Sequence, residues 1–227
     1  MHVTNINLKW SKFIANIFSQ LGIVDVCLCP GSRNTPLTVA FSSNKSFNCS
    51  SHIDERSASF FALGMSKKSN IPSIIVSTSG TAVANFFPGI IESSQSKTPL
   101  IILTADRPNF LHGKGENQTI NQNNIYGSYT RAFEDLGLPT NDTDKLSKTI
   151  LDLYGQSTGA KGTPPGPVHI NIPFDEPLID NLSTQEDTIQ PIKLSTGIEN
   201  SNFNIPTLQN SLIVCSDLLP HENLRSV

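Results

Sequence analysis

Five strand-length runs of this sequence are rich in apolar residues, and each ends in a loop of small, polar or charged residues. They are Ile23–Cys29, Phe47–Ile53, Ile71–Thr78, Pro99–Ala105 and Gly166–Pro173. The hydrophobicity is continuous rather than alternating in the first and fourth runs, which predicts strands covered on both faces. Strands of this kind belong to parallel sheets in α/β proteins.

Amphipathic segments with apolar residues at three- and four-residue spacing alternate with these runs. The predicted helices are Leu8–Leu21, the segment from Glu55 to about Lys68, a helix entered from the small-residue turn at 77–85, and Asp144–Tyr154. Gly22 suits the end of the first helix, and Pro88 should kink or break the third. We therefore predict an α/β fold with a doubly wound, mainly parallel sheet and helices on both faces.

The composition excludes several classes of partner. The net charge is -3, and the pI of about 5.9 gives no basis for binding nucleic acid or an anionic membrane. No apolar run approaches the length of a membrane span and the first ten residues do not resemble a signal peptide, so we expect a cytoplasmic protein. Cys27 and Cys29 lack a second Cys/His pair, so we expect buried, reduced thiols and no metal site.

The candidate functional residues follow the predicted strands, at the edge where open α/β sheets bind ligands. Glu55 stands where an extended segment turns into a helix, and its simplest role is to complement the helix dipole. Loops with small residues follow the first and third strands, and the turn at 77–85 after the third is neither a Walker A nor a GxGxxG loop. Arg33 lies in the loop after the first strand, and Arg107 comes just after the fourth. Both suit a carboxylate ligand. A long loop, Asn109–Tyr126, comes next, and loops of this length are usually functional or disordered.

Six ordered motifs resemble one family. They are Cys29–Leu37, His52–Arg56, Thr78–Asn85, Leu103–Pro108, Asn117–Gln118 and His169–Phe174. Together they resemble the amino-terminal part of the thiamine-diphosphate-dependent synthases of menaquinone biosynthesis, which are transferases. The resemblance covers the chain from near its start to about residue 180 and implies a pyrimidine-binding α/β domain over 1–180.

The resemblance assigns a role to each candidate residue. Glu55 would be catalytic and would hydrogen-bond the ring nitrogen of the cofactor's aminopyrimidine, which helps the cofactor lose its thiazolium proton. Cofactor contacts are implied for a larger set, namely Glu55, Pro30, Gly31, Ser79, Gly80 and Thr81. Contacts with the substrates, 2-oxoglutarate and isochorismate, are implied for Ser32, Arg33, Arg107 and Gln118. Fixed cationic and hydrogen-bonding groups suit such carboxylate-bearing substrates.

The resemblance also implies parts that we do not find in this sequence. The family binds Mg²⁺ and the diphosphate of the cofactor through a Gly-Asp-Gly motif of a second α/β domain, and no Gly-Asp-Gly occurs here. We expect residues 181–205 to form a linker and 206–227, with a strand near Cys215, to begin a central domain. The chain is then an amino-terminal portion that is inactive alone, and the family's active site lies between subunits of a homodimer or homotetramer.

Two other functions remain open from the sequence. The chain could belong to another thiamine-diphosphate decarboxylase or ligase of the acetolactate synthase type, whose substrate pyruvate has no distal carboxylate for an additional arginine. It could also be a ligand-binding α/β module without catalysis, because fold alone does not fix function. The presence of Glu55 favours the enzyme, since a simple binding module has no use for this carboxylate.

Overall fold

The computed structural model describes residues 5–179. The predicted linker (181–205) and the predicted start of a central domain (206–227) lie outside the described residues. Within them, the strands are β1 (Asp25–Leu28), β2 (Asn48–Ser51), β3 (Ser73–Ser77), β4 (Leu100–Asp106), β5 (Ala132–Asp135) and β6 (Pro167–Pro173). They form one parallel sheet with the order β2-β1-β3-β4-β6-β5. The predicted fold class is confirmed.

Six α-helices and two short 3-10 turns accompany this sheet in the described part of the chain. The helices are α1 (Ile6–Gln20), α2 (Thr35–Ser43), α3 (Glu55–Ser69), α4 (Thr81–Asn85), α5 (Phe87–Gln95) and α6 (Thr143–Thr158). Gly22 follows the end of α1 with φ +80°, as predicted for a C-cap glycine. The predicted break at Pro88 is also confirmed, because α4 ends at Asn85 and Pro88 lies in the first turn of α5.

Two elements have no counterpart in the sequence-based prediction. The strand β5 is only four residues long, half-buried and partly acidic, so it lacks the apolar run that marks the other strands. It lies at the edge of the sheet, where a strand has one strand neighbour and needs less apolar surface. The helix α2 begins directly after the loop that follows β1, with Pro36 in its first turn, where proline is tolerated.

Each face of the sheet carries its own hydrophobic core. On one face, α1, α2 and α6 pack against apolar strand residues such as Val76, Leu103 and Ile170. On the other face, α3 and α5 cover a core that includes Cys27 and Cys29, both of which are free thiols. These two cysteines are therefore buried on the same side of the sheet, as predicted. This arrangement of helix, sheet and helix explains why the central strands β3, β4 and β6 are buried on both faces.

All six strands run in the same direction, so the loops that follow them lie along one edge of the sheet. The strand order reverses between β1 and β3, and ligands of doubly wound sheets bind at such a reversal. The loop after β1 touches the turn after β3, since a Cβ atom added at Gly31 would lie 2.3 Å from Cβ of Thr78. Only glycine allows this approach. No described helix is long and apolar enough to cross a membrane.

Candidate active site at the carboxyl edge of the sheet

Glu55 is the first residue of α3, which starts after the edge strand β2. Asp54 caps this helix by accepting a hydrogen bond from the backbone N–H of Ser57 at 3.2 Å. Because Asp54 performs the capping, Glu55 is not needed for it. The Oε2 atom of Glu55 accepts a hydrogen bond from Nδ2 of Asn85 at 3.2 Å. The structure therefore places Glu55 at the predicted boundary and fixes its carboxylate from the end of α4.

Glu55 acts electrostatically on a buried thiol, and exposed apolar residues precede and follow it in the chain. Burial, followed by the negative charge of Glu55, raises the pKa of the Cys29 thiol to about 12. Cys29 is therefore a neutral thiol at physiological pH. On the surface, Ile53 is 90% exposed and Phe61 is 48% exposed. The ring of Phe61 contacts the ring of His52, with 4.9 Å between the centroids. The partly exposed carboxylate of Glu55 can accept a hydrogen bond from a ligand with an N–H donor.

The loop after β1 contains the predicted residues Pro30, Gly31, Ser32 and Arg33. The first three are exposed, whereas Arg33 is buried. The Arg33 guanidinium donates to the backbone oxygen of Phe174 at 3.0 Å and to Oε1 of Glu176 at 3.2 Å. Both partners follow β6, so Arg33 ties the loop after β1 to the segment after β6. The guanidinium is thus well ordered but already has two partners.

The turn after β3 contains three of the predicted residues, and two more, Arg107 after β4 and Gln118 in the long loop, contact it. Ser79 is fully buried, and its hydroxyl accepts a hydrogen bond from the Arg107 guanidinium. The Gln118 side chain donates to the backbone oxygen of Ser79 at 3.0 Å. Gly80 has φ +86°, and a Cβ atom there would lie 2.7 Å from Cγ of Gln118. Thr81 is exposed and begins α4. Ser79, Gly80, Arg107 and Gln118 therefore form one contact group.

The positive charge of Arg33 acts on the second predicted substrate-binding arginine, Arg107. The pKa of Arg107 is lowered first by its burial and then by the positive charge of Arg33. Like charges at one place are unfavourable unless an anion joins them. A pair of guanidiniums at the carboxyl edge of the sheet is therefore suited to a carboxylate or another anion. Glu55 has a different hydrogen-bond partner, Asn85.

A buried polar cluster below this group was missed by the sequence-based prediction. It consists of Thr104, Asp106, Gln122, His169 and Asn171, all at most 1% exposed. Burial is the main factor that raises the pKa of Asp106, while hydrogen bonds from Asn171 and from the Arg107 backbone lower it. Asn171 offered a signal, because it is a polar residue in a strand that must be buried on both faces. Gln122 offered none, because its loop is polar throughout.

The arrangement of side chains that a metal ion needs is not found among the described residues. Among residues 5–179, no group of three or more His, Cys, Asp or Glu side chains is arranged to hold a metal ion. The Cys27 thiol instead accepts a hydrogen bond from the Ser50 hydroxyl at 3.6 Å, and the Ser50 hydroxyl is 2.9 Å from Nε2 of His52.

The fold and the site define a doubly wound α/β domain with one carboxylate, Glu55, and two guanidiniums, Arg33 and Arg107, in segments that follow its strands. Comparison with known proteins makes this class specific. Residues 8–125 match the family described as the thiamine pyrophosphate enzyme, N-terminal TPP binding domain. The chain belongs to this family.

Similar proteins carry a common name, 2-succinyl-5-enolpyruvyl-6-hydroxy-3-cyclohexene-1-carboxylate synthase. The chain is 46% identical to the Halobacterium salinarum protein over 181 residues, which is 78% of this chain and 30% of that protein. It is 44% identical to the Haloquadratum walsbyi protein over 178 residues, covering 78% and 29%. It is 44% identical to the Crocosphaera subtropica protein over 201 residues, covering 88% and 34%. These matches confirm the resemblance seen in the motifs. The chain spans about 30% of the length of the curated relatives it matches.

Proposed function

We propose that this chain is the pyrimidine-binding part of a thiamine-diphosphate-dependent synthase that decarboxylates 2-oxoglutarate and adds the remaining four-carbon unit to isochorismate. The observation that carries the proposal is that Arg33, Glu55 and Arg107 follow three strands of one parallel sheet and so lie along the same edge of it. The similarity to proteins named as this synthase supports it.

Glu55 is the residue that would hold the cofactor's aminopyrimidine. Its partly exposed carboxylate is positioned by Asn85 and can accept a hydrogen bond from a ring with an N–H donor. The backbone of Pro30, Gly31, Ser79, Gly80 and Thr81 would approach the same ligand. When bound, thiamine diphosphate supplies the electron sink for decarboxylation. Mg²⁺ and the ligands of the diphosphate would come from a part of the protein outside residues 5–179.

Arg33 and Arg107 are the groups that would bind the substrate carboxylates, with help from Ser32 and Gln118. A guanidinium has five N–H donors in a planar fork. Arg33 donates to Phe174 and to Glu176, so its remaining N–H groups are left for a ligand. The Glu176 side chain is 72% exposed, so a substrate carboxylate can replace it at little cost. Pyruvate has a single carboxylate and would leave one of the two arginines without a substrate carboxylate.

We further propose a homodimer or homotetramer whose active site lies between subunits. Phe60 and Phe61 are 45% and 48% exposed, Ile53 is 90% exposed, and all three lie within six residues of Glu55 in the chain. An exposed apolar surface next to a candidate active site is typical of a contact surface. We also propose that the protein works in the cytoplasm. Light scattering of the purified protein over a range of concentrations tests the assembly, and a monomer at every concentration would contradict it.

The test of the proposed reaction is carbon dioxide release by the full-length protein that contains this chain, with thiamine diphosphate and Mg²⁺ added. We expect release with 2-oxoglutarate and isochorismate together, and much less with pyruvate. A preference for pyruvate would instead indicate the acetolactate type, and release from neither substrate would favour a binding module.

The same assay tests Glu55 with a matched control. We expect Glu55→Gln to lower the rate by about 10²–10⁴-fold, the usual contribution of a group that assists proton transfer. Glu92→Gln makes the same chemical change on the exposed surface of α5 and should leave the rate unchanged. Full activity of Glu55→Gln would mean that this carboxylate only complements the helix dipole.

A further inference from the structure

The turn at Ser79–Gly80 is contacted by two residues that are proposed to bind substrate, Arg107 and Gln118. Arg107 donates to the Ser79 hydroxyl, and Gln118 donates to the Ser79 backbone oxygen. Arg107 also donates to the backbone oxygen of Gln118 at 3.3 Å. The positions of both side chains therefore depend on the position of this turn.

Gln122 holds this turn from below. Its Oε1 atom accepts a hydrogen bond from the backbone N–H of Gly80 at 2.9 Å. Its Nε2 atom donates to the backbone oxygen of Ala105 at 3.2 Å and to Oδ1 of Asn171 at 2.8 Å. One fully buried side chain thus connects the turn after β3 with the carboxyl ends of β4 and β6. Because two oxygens face its nitrogen and one N–H faces its oxygen, only one orientation of this amide satisfies all three partners.

Asn171 in turn fixes Gln122. Its Oδ1 atom accepts from Thr104 and from Gln122, both at 2.8 Å. Its Nδ2 atom donates to Asp106 at 2.9 Å and to Asp135 at 3.3 Å. An amide has two donor hydrogens and two acceptor lone pairs, so every one of them is used. The other oxygen of Asp106 accepts from the backbone N–H of Arg107 at 2.7 Å, which brings this chain of bonds back to the proposed substrate residue.

From this arrangement we propose that Gln122 is a positioning residue for the substrate-binding groups Arg107 and Gln118, acting through the Ser79–Gly80 turn, with Asn171 as its support. The inference rests on the proposed function and deepens it. Gln122 lies four residues beyond Gln118 in the same loop, so the loop both contributes a substrate group and secures the turn that seats it. Loss of the Gln122 amide leaves the Gly80 N–H without its partner and loosens the turn, while the cores on both sheet faces stay intact.

The experiment uses the full-length protein that contains this chain and the variant Gln122→Met, which keeps the length of the side chain but removes its three hydrogen bonds. The control is Ser157→Ala, which removes a buried hydroxyl bonded to Gly166 at 2.8 Å and to Leu100 at 3.4 Å, at the opposite edge of the sheet. Two quantities are measured for each variant. They are the hydrogen exchange of the Gly80 amide in the protein without ligands and the KM and kcat for 2-oxoglutarate.

We expect Gln122→Met to speed exchange at Gly80 by about tenfold or more and to raise the KM for 2-oxoglutarate by about tenfold, with a smaller effect on kcat. Ser157→Ala should change neither, even if it lowers global stability equally. Unchanged exchange at Gly80, or faster exchange with an unchanged KM, would overturn the proposal. If the wild-type protein does not turn over 2-oxoglutarate, the proposed function fails instead, and the exchange at Gly80 still decides whether Gln122 holds the turn.

Discussion

At the scale of single residues, Arg33 shows how one side chain serves both structure and a proposed site. Its guanidinium is buried and bonded to the Phe174 backbone oxygen, a partner 141 residues away in the chain. A buried backbone oxygen that loses its donor costs about 1–3 kcal/mol. The bond between Arg33 and the exposed carboxylate of Glu176 contributes less, because solvent screens such a pair.

We therefore predict that Arg33→Met lowers the free energy of unfolding by about 1–3 kcal/mol and also raises the KM for 2-oxoglutarate. Glu176→Gln should lower the free energy of unfolding by less than about 1 kcal/mol, since it disturbs only the exposed pair. Urea titrations of both variants measure the difference. Equal losses in the two variants would show that the ion pair, rather than the bond to Phe174, is the important contact.

His169 is the second residue with a measurable consequence. It is fully buried, with its Nε2 atom 2.7 Å from the Thr104 hydroxyl, and burial lowers its pKa to about 3. In the unfolded chain a histidine has a pKa of about 6.5. The unfolded state therefore binds a proton between these two values while the folded state does not, so the stabilisation is complete above pH 6.5 and is lost as the pH falls towards 3.

We predict that this residue contributes about 2 kcal/mol to the loss of stability between pH 7 and pH 5. The variant His169→Leu lacks the titrating group, so its free energy of unfolding should fall by about that much less over the same range. The measurement is a set of urea titrations of both proteins at several pH values. Parallel curves for the two proteins would contradict the prediction.

At the scale of elements, the turn after β3 and the loop 109–126 depend on each other. Gly80 combines φ +86° with a backbone that presses on Gln118, since an added Cβ would lie 2.9 Å from the Gln118 backbone oxygen. Gly113 lies in the loop 109–126 and has φ +73°, but no atom lies within 4 Å of a Cβ atom added there. The two glycines share the unusual dihedral angle and differ in crowding.

We predict that Gly113→Ala costs about 1 kcal/mol, the strain of a left-handed conformation in a residue with a side chain. Gly80→Ala should cost at least about twice as much, because the loop must also move away from the turn. It should also raise the KM for 2-oxoglutarate, whereas Gly113→Ala should not. Calorimetry and steady-state kinetics of the two variants test this, and similar effects at both positions would mean that the turn and the loop are not coupled.

At the scale of the whole molecule, both hydrophobic cores lie within the described residues and draw on α1 to α6 and the sheet. The chain has the size of a single large domain, and it spans about 30% of the curated relatives. A domain with its own cores can fold alone. The proposed diphosphate and metal ligands, however, are assigned to another part of the protein, so folding and activity should separate.

We predict that the isolated 227-residue chain unfolds in a cooperative transition but releases no carbon dioxide from 2-oxoglutarate with cofactor and Mg²⁺. Far-ultraviolet circular dichroism during heating tests the folding, and the carbon dioxide assay tests the activity. Turnover at the rate of the full-length protein would show that the chain holds a complete active site, contrary to the proposal.

The amino-acid sequence by itself determined the α/β class, most of the helices and strands, and the edge of the sheet at which Glu55, Arg33 and Arg107 lie. These features follow from local signals, namely apolar runs, helical periodicity, and Gly or Pro at the ends of elements, which need no knowledge of distant contacts.

Only the tertiary structure decided that β6 lies between β4 and β5, that Arg33 bonds to Phe174, and that Gln122 and Asn171 form a buried link. Gln122 and Asn171 are 49 residues apart in the chain, and no local pattern of apolar residues records such a pairing. Their contact depends on the register of strands that meet only after the chain has folded. A buried polar side chain then takes whichever partners that register brings within hydrogen-bond distance.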